Sequence, residues 1–194
     1  MSIDNQKFII YILKDYLKKI NFYYTRILDK EFTDEDLHQF RINIRRSRAI
    51  LNIFYIFFKR KSYKKINKEL ANITQLTNKI RDISVFFDAC NNTALVSNSD
   101  EFPRYFYNAL LSDFQKEKKK LHKFLKNKKN QKIIMRYQSF LDKKIDKNSL
   151  HVDASLHLNK MIIQYFKEVD RLYKSYQLDK NEKTLHKIRI YLRQ

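Results

Sequence analysis

The chain has 194 residues, with 41 Lys or Arg against 21 Asp or Glu, for a formal net charge of +20 at pH 7. It has no Gly, one Pro and one Cys, which excludes Gly-rich phosphate loops, GxSxG nucleophile elbows, Cys-rich zinc sites and internal disulfides, and disfavours hairpin-rich β folds. With 43% hydrophobic and 14% aromatic residues it is too apolar for a disordered polybasic tail, so a basic, helical globular protein with an anionic partner remains.

Apolar spacing reads helical along most of the chain. In the first helix Leu13, Leu17, Ile20, Tyr24 and Ile27 step by 4, 3, 4, 3. After a break at 28–32, Thr33 is an N-cap with Asp36 as its capping-box partner. The second helix carries Leu37, Phe40, Ile44, Ser47, Leu51, Phe54 and Phe58 on one stripe, and the third Ile66, Leu70, Ile73, Ile80, Ile83, Phe87 and Cys90. Pro103 ends a polar connection and opens a fourth helix with Tyr107, Leu111, Phe114, Leu121 and Leu125. A fifth holds Ile134, Tyr137, Leu141 and Ile145. A sixth carries Leu158, Ile162, Tyr165, Val169, Leu172 and Tyr176, and a seventh, from about Asn181, carries Leu185, Ile188 and Leu192. The expectation is one all-α domain over 1–194, a bundle of long paired helices.

There is an internal repeat. Residues 37–46, LHQFRINIRR, and 185–194, LHKIRIYLRQ, share five of ten positions, and each follows a Leu-Asp-Lys turn and a long helix with a 4-3-4-3 stripe. This predicts a two-fold repeat, with a first half over about 1–147 and a truncated second half over about 148–194.

Chemistry concentrates in that repeat. At about 100° per residue, His38, Arg41, Arg45 and Arg48 form a cationic stripe beside the apolar one, about 15 Å long. His186, Arg189 and Arg193 repeat its first three positions. Like charges at these spacings repel and destabilise a helix. Arg presents planar, permanently charged forks that match phosphate oxygens, and a His can become a further cation beside a polyanion. No acidic residue lies between His38 and Arg60 to neutralise the row. The pattern predicts anion binding.

The stretch LHQFRINIRRSRAILNIF resembles the opening signature of the CHAD family, the conserved histidine α-helical domain. Asn78-Lys79-Ile80-Arg81-Asp82-Ile83-Ser84-Val85 resembles that family's Arg-Asp helix, and LHKIRIYLR its second-half signature. The resemblance covers essentially the whole chain. It implies an all-helical domain of two similar halves around a basic channel, with inorganic polyphosphate as ligand and no catalysis. Carried over by motif, His38, Arg41, Arg45 and Arg48 would line the channel from one half, and His186, Arg189 and Arg193 from the other. Arg81 would support them, with Asp82 as a structural partner. Arg46 matches the family's paired Arg, although the helical wheel turns it away from the core. Lys118 falls on the apolar stripe of the fourth helix; it would either line the channel or snorkel at the stripe's edge. The second signature departs from the pattern: the chain ends before further basic positions, and Gln194 stands where the first repeat has Arg46.

No metal or cofactor is expected. The five histidines form no HExxH or HxxEH motif, and His151 and His157 are badly spaced for shared ligation. Cys90 reads as a core thiol. Enzyme readings lack a paired acid and base. Lys-rich 116–129 reads as a solvated face that adds long-range attraction. Apolar runs of six residues, Phe8–Leu13 and Ile53–Phe58, are too short to span a membrane, and the N-terminus lacks a cationic secretory start. With what the resemblance implies, the expectation is a cytoplasmic, non-catalytic module that binds inorganic polyphosphate or a similar linear polyanion, with sequence-independent nucleic-acid binding as the alternative.

Overall fold

The computed structural model describes residues 2–29, 32–92, 104–142 and 153–192. These form seven helices: α1 (Ser2–Leu28), α2 (Asp34–Ile53), α3 (Arg60–Asn92), α4 (Arg104–Lys126), α5 (Lys128–Asp142), α6 (Ala154–Asp179) and α7 (Glu182–Leu192). A 3-10 turn, Tyr55–Phe57, joins α2 to α3, and there is no strand among the described residues.

The apolar periods assemble α1 to α5 into one bundle. On α1, Ile9, Leu13, Leu17, Ile20 and Ile27 are buried; Leu37, Phe40, Ile44 and Leu51 of α2 face them, and Ile66, Leu70, Ile73, Ile80 and Ile83 of α3 complete the interior. Two polar latches tie α4 to α1. The Tyr24 hydroxyl donates to the Leu125 carbonyl (2.9 Å), and His122 Nε2 lies 2.9 Å from the Leu28 carbonyl oxygen.

α2 begins as the sequence predicts. The Thr33 side chain accepts from the Asp36 amide, and the Asp36 carboxylate accepts from the Thr33 amide, a capping box. Arg26 of α1 also donates to that carboxylate, locking the α1–α2 corner. Burial pushes the Asp36 carboxyl up, but bonds from Arg26 and Thr33 outweigh it and hold the group below its ordinary value.

Three expectations about the apolar stripes need correction. α2 stops at Ile53 and does not run to Phe58. The chain turns instead so that Phe57 and Phe58 are both buried, Phe57 stacked on Phe54 at 5.9 Å and Phe58 against Phe140 at 5.0 Å. Aromatic packing overrides helical continuation there. On α4, Tyr107 and Leu111 are exposed; this first half packs against the end of α3, through Phe86–Phe106, Phe87–Tyr107 and Phe87–Phe114 contacts. On α6, Leu172 is buried while Ile162 is exposed.

α6 and α7 pack on each other as a hairpin, as α1 and α2 do. Asp153 caps α6 by accepting from the Ser155 and Leu156 amides. Without Gly, Lys180 supplies the left-handed residue at the α6 C-terminus (φ 48°). His157 pins the hairpin to the bundle. Its Nε2 lies 2.7 Å from the Ile53 carbonyl oxygen, and its ring contacts Phe54, Tyr55 and Phe57. On α7 Ile188 is buried and Tyr191 meets Tyr165 edge-on, whereas Leu192 is exposed. Ile145, His151, Arg193 and the Cys90 side chain lie outside the described residues.

Candidate anion-binding site

The site is built on the face that α2 presents beside its core stripe, with α3 crossing next to it. Arg41 is half-buried, and its Nη1 donates to the Thr77 hydroxyl (3.1 Å) and the Asn78 side-chain oxygen (2.8 Å). Arg48, two turns on, donates from Nε to the Asn67 side-chain oxygen (3.1 Å). Asn67 is fixed in turn: its amide nitrogen donates to the Asn52 side-chain oxygen (2.8 Å), which also accepts from the Tyr63 hydroxyl (2.8 Å). Arg45 lies between them, exposed, and His38 is partly buried one turn before Arg41.

The orienting partners of the two guanidiniums are neutral. Among the described residues no carboxylate lies within ion-pairing distance of Arg41, Arg45 or Arg48. Their charge is therefore held in place without being cancelled. Burial, then the charges of Arg45 and Arg81, push Arg41 below its ordinary value, against an opposing pull from Asp82. Burial also lowers Arg48, with Arg45 adding to it and Tyr63 opposing. The repulsion among Arg41, Arg45, Arg48 and Arg81 is a standing cost that a bound anion would relieve.

Arg81 joins the cluster from α3. Its Nη1 lies 3.4 Å from the Ser84 hydroxyl, which donates to Asp34 at the start of α2 (3.0 Å). Its ion-pair partner is Asp88 (3.8 Å) rather than the expected Asp82, which is exposed and forms no ion pair among the described residues. Lys118 closes the same chain from α4. Its Nζ sits 4.3 Å from the Phe32 ring centre and 5.1 Å from that of Phe114, donates to the Phe32 carbonyl (3.5 Å) and lies 4.0 Å from Asp34. It is an inward lysine whose charge is largely met by two ring faces, the Phe32 carbonyl and the Asp34 carboxylate.

A comparison with family models matches residues 12–194 to the CHAD domain. The chain belongs to the CHAD family. Comparisons with curated proteins and with solved structures each found no match.

In this CHAD domain the remaining motif residues fall apart from the α2–α3 cluster. Arg46 is exposed on another side of α2, where it lines a cleft with Lys18, Lys19, Phe22 and Tyr23, as the helical wheel required. His186 and Arg189 are exposed on α7, whose main packing partner is α6, and among the described residues no hydrogen bond or ion pair joins them to the α2 row. Sequence reasoning missed the neutral side chains that aim the row. Tyr63, Asn67, Thr74 and Asn78 recur along α3 at steps of 4, 7 and 4, with Thr77 beside the last, a neutral polar stripe on a helix otherwise read for its apolar one. Among the described residues no cluster of three or more metal-ligating side chains occurs, and no helix is long and apolar enough to cross a membrane.

Proposed function

We propose that this CHAD domain binds inorganic polyphosphate as a non-catalytic module, in a reduced cytoplasmic setting. The observation that carries the reading is the gathering of Arg41, Arg45, Arg48 and Arg81 around α2 and α3, with Arg41 and Arg48 aimed by neutral acceptors. Such guanidiniums are pre-oriented, so little side-chain entropy is lost when phosphate oxygens replace water. Binding proceeds by neutralising successive phosphates, releasing their counterions and forming charge-assisted hydrogen bonds. His38 extends the row by one turn, and His186, Arg189 and Arg193 supply further cations from the α6–α7 hairpin. No step transfers a group or a proton.

Among the described residues no aromatic ring lies over the guanidinium of Arg41, Arg45 or Arg48, which favours a bare phosphate chain over stacked RNA bases. The test is competition at near-physiological salt: labelled polyphosphate on the protein, challenged with RNA of equal phosphate concentration. Polyphosphate retained on the wild type, and lost from an Arg41→Ala/Arg48→Ala variant, supports the proposal. Displacement by RNA establishes instead a general affinity for nucleic acid.

A further inference from the structure

A separate basic cleft of about 430 Å³ lies where α3, the end of α4 and the start of α5 meet. At about 100° per residue, its α3 residues Lys65, Glu69 and Asn72 sit roughly opposite Asn67, Asn78 and Arg81, so α3 separates it from the arginine row. The two sites share no residue.

The cleft is charged in a directed way. Arg136 grips Glu69 with two contacts, Nη2 to Oε1 at 2.8 Å and Nε to Oε2 at 3.1 Å. That pair cancels the one carboxylate in the cleft and fixes the guanidinium plane. Lys65, Lys129 and Lys132 then face it with no carboxylate in ion-pairing distance among the described residues. Lys128 and Lys129 also occupy the first turn of α5, which has no acidic residue, so they stand at the positive end of the helix dipole. That is the wrong end for a cation, and an anion in the cleft would offset it.

The cleft is also more than a cationic patch. Ile133 is buried in its floor and Phe124 is half-buried beside it. The Asn130 amide nitrogen is fixed on the Phe124 carbonyl (2.9 Å), while Asn72 is exposed at the rim and offers both a donor and an acceptor. An inorganic anion would leave the ring and the amides unused. The size falls within the range of small-molecule sites.

We infer that this cleft binds a nucleoside di- or triphosphate, the phosphates on Lys65, Lys129 and Lys132 and the base against Phe124 and the asparagine amides. The site is independent of the polyphosphate reading.

The experiment is calorimetric titration of the full chain at near-physiological salt with ATP and with inorganic triphosphate, on the wild type and on Arg45→Ala/Arg48→Ala, in which the arginine row competes less for either ligand and the two are compared. ATP should bind about tenfold more tightly than triphosphate, the margin a stacked base supplies. Lys129→Ala/Lys132→Ala should weaken ATP by about tenfold or more, while Arg45→Ala/Arg48→Ala should leave it within about twofold. Phe124→Leu, which keeps the packing and removes the ring, should weaken ATP severalfold and leave triphosphate unchanged. Triphosphate binding as tightly as ATP to the Arg45→Ala/Arg48→Ala protein would overturn the inference. So would full ATP affinity in the folded Lys129→Ala/Lys132→Ala protein, or its loss from the Arg45→Ala/Arg48→Ala protein.

Discussion

Replacing Arg41 and Arg48 together by Ala is the sharpest probe of the arginine row. A hydrogen bond to a charged group contributes about 1.5–3 kcal/mol. Both side chains are only half-buried, so solvent and salt screen them, and about 1–2 kcal/mol each is the appropriate range. The two positions are seven residues apart, about 10 Å along the helix, far enough for their effects to add. The sum, about 2–4 kcal/mol, is a loss of roughly 30- to 700-fold in polyphosphate affinity. If each Arg neutralises one phosphate, the dependence of log K on log salt should become shallower by about 1.4. The assay is titration with polyphosphate of fixed length across a salt series, with melting temperature as the check on folding. Folding should survive, because Thr77 still donates to the Thr74 carbonyl (2.8 Å) when Arg41 is gone. Lys119→Ala/Lys126→Ala, two exposed lysines on α4, is the control and should weaken binding only slightly. A folded Arg41→Ala/Arg48→Ala protein with wild-type affinity and an unchanged salt slope would refute the reasoning.

Four predictions concern the fold. Thr33→Ala should cost about 0.5–2 kcal/mol in chemical denaturation by removing the α2 cap. Asp36 lies below its ordinary carboxylate value near 3.8, so its stabilising contribution is present above that pH and disappears as pH falls through the lower folded value; the stability gap between wild type and Asp36→Asn should therefore be full at neutral pH and close in acid. The Ser47 and Tyr137 hydroxyls are buried without a partner of full hydrogen-bond geometry, although Ser47 is near enough to act on the phenol, which burial pushes up. Ser47→Ala/Tyr137→Phe should thus leave the melting temperature unchanged or raise it, and a large drop would show a bond that matters. Lys180→Gly should stabilise the α6–α7 hairpin by about 1 kcal/mol, seen as slower amide exchange in α7, because a left-handed backbone is costly for a residue with a Cβ.

Much of this molecule is local and therefore readable along the chain. The absence of Gly and the 3–4 apolar steps are enough to specify helices, and the Thr33–Asp36 pair marks the start of α2 within the residue. The cationic stripe and its repeat at 185–193 depend only on helical geometry, which is why Arg46 could be turned away from the core before any contact was known. What decided the site was packing between elements distant in sequence. Whether Arg41 and Arg48 meet carboxylates or neutral acceptors depends on which face of α3 crosses α2, and Thr77, Asn78 and Asn67 supply that answer from 19 to 37 residues away. Lys118 reads along the chain equally as a channel residue or as a lysine snorkelling at its stripe's edge, and Phe32, 86 residues earlier, lies under its ammonium. The end of α2 at Ile53 likewise follows from where Phe57, Phe58 and His157 find partners, His157 lying 104 residues from the Ile53 carbonyl. Helical periodicity is set by the backbone and its immediate neighbours. Charge compensation and aromatic packing are set by which surfaces meet, and only the assembled bundle determines that.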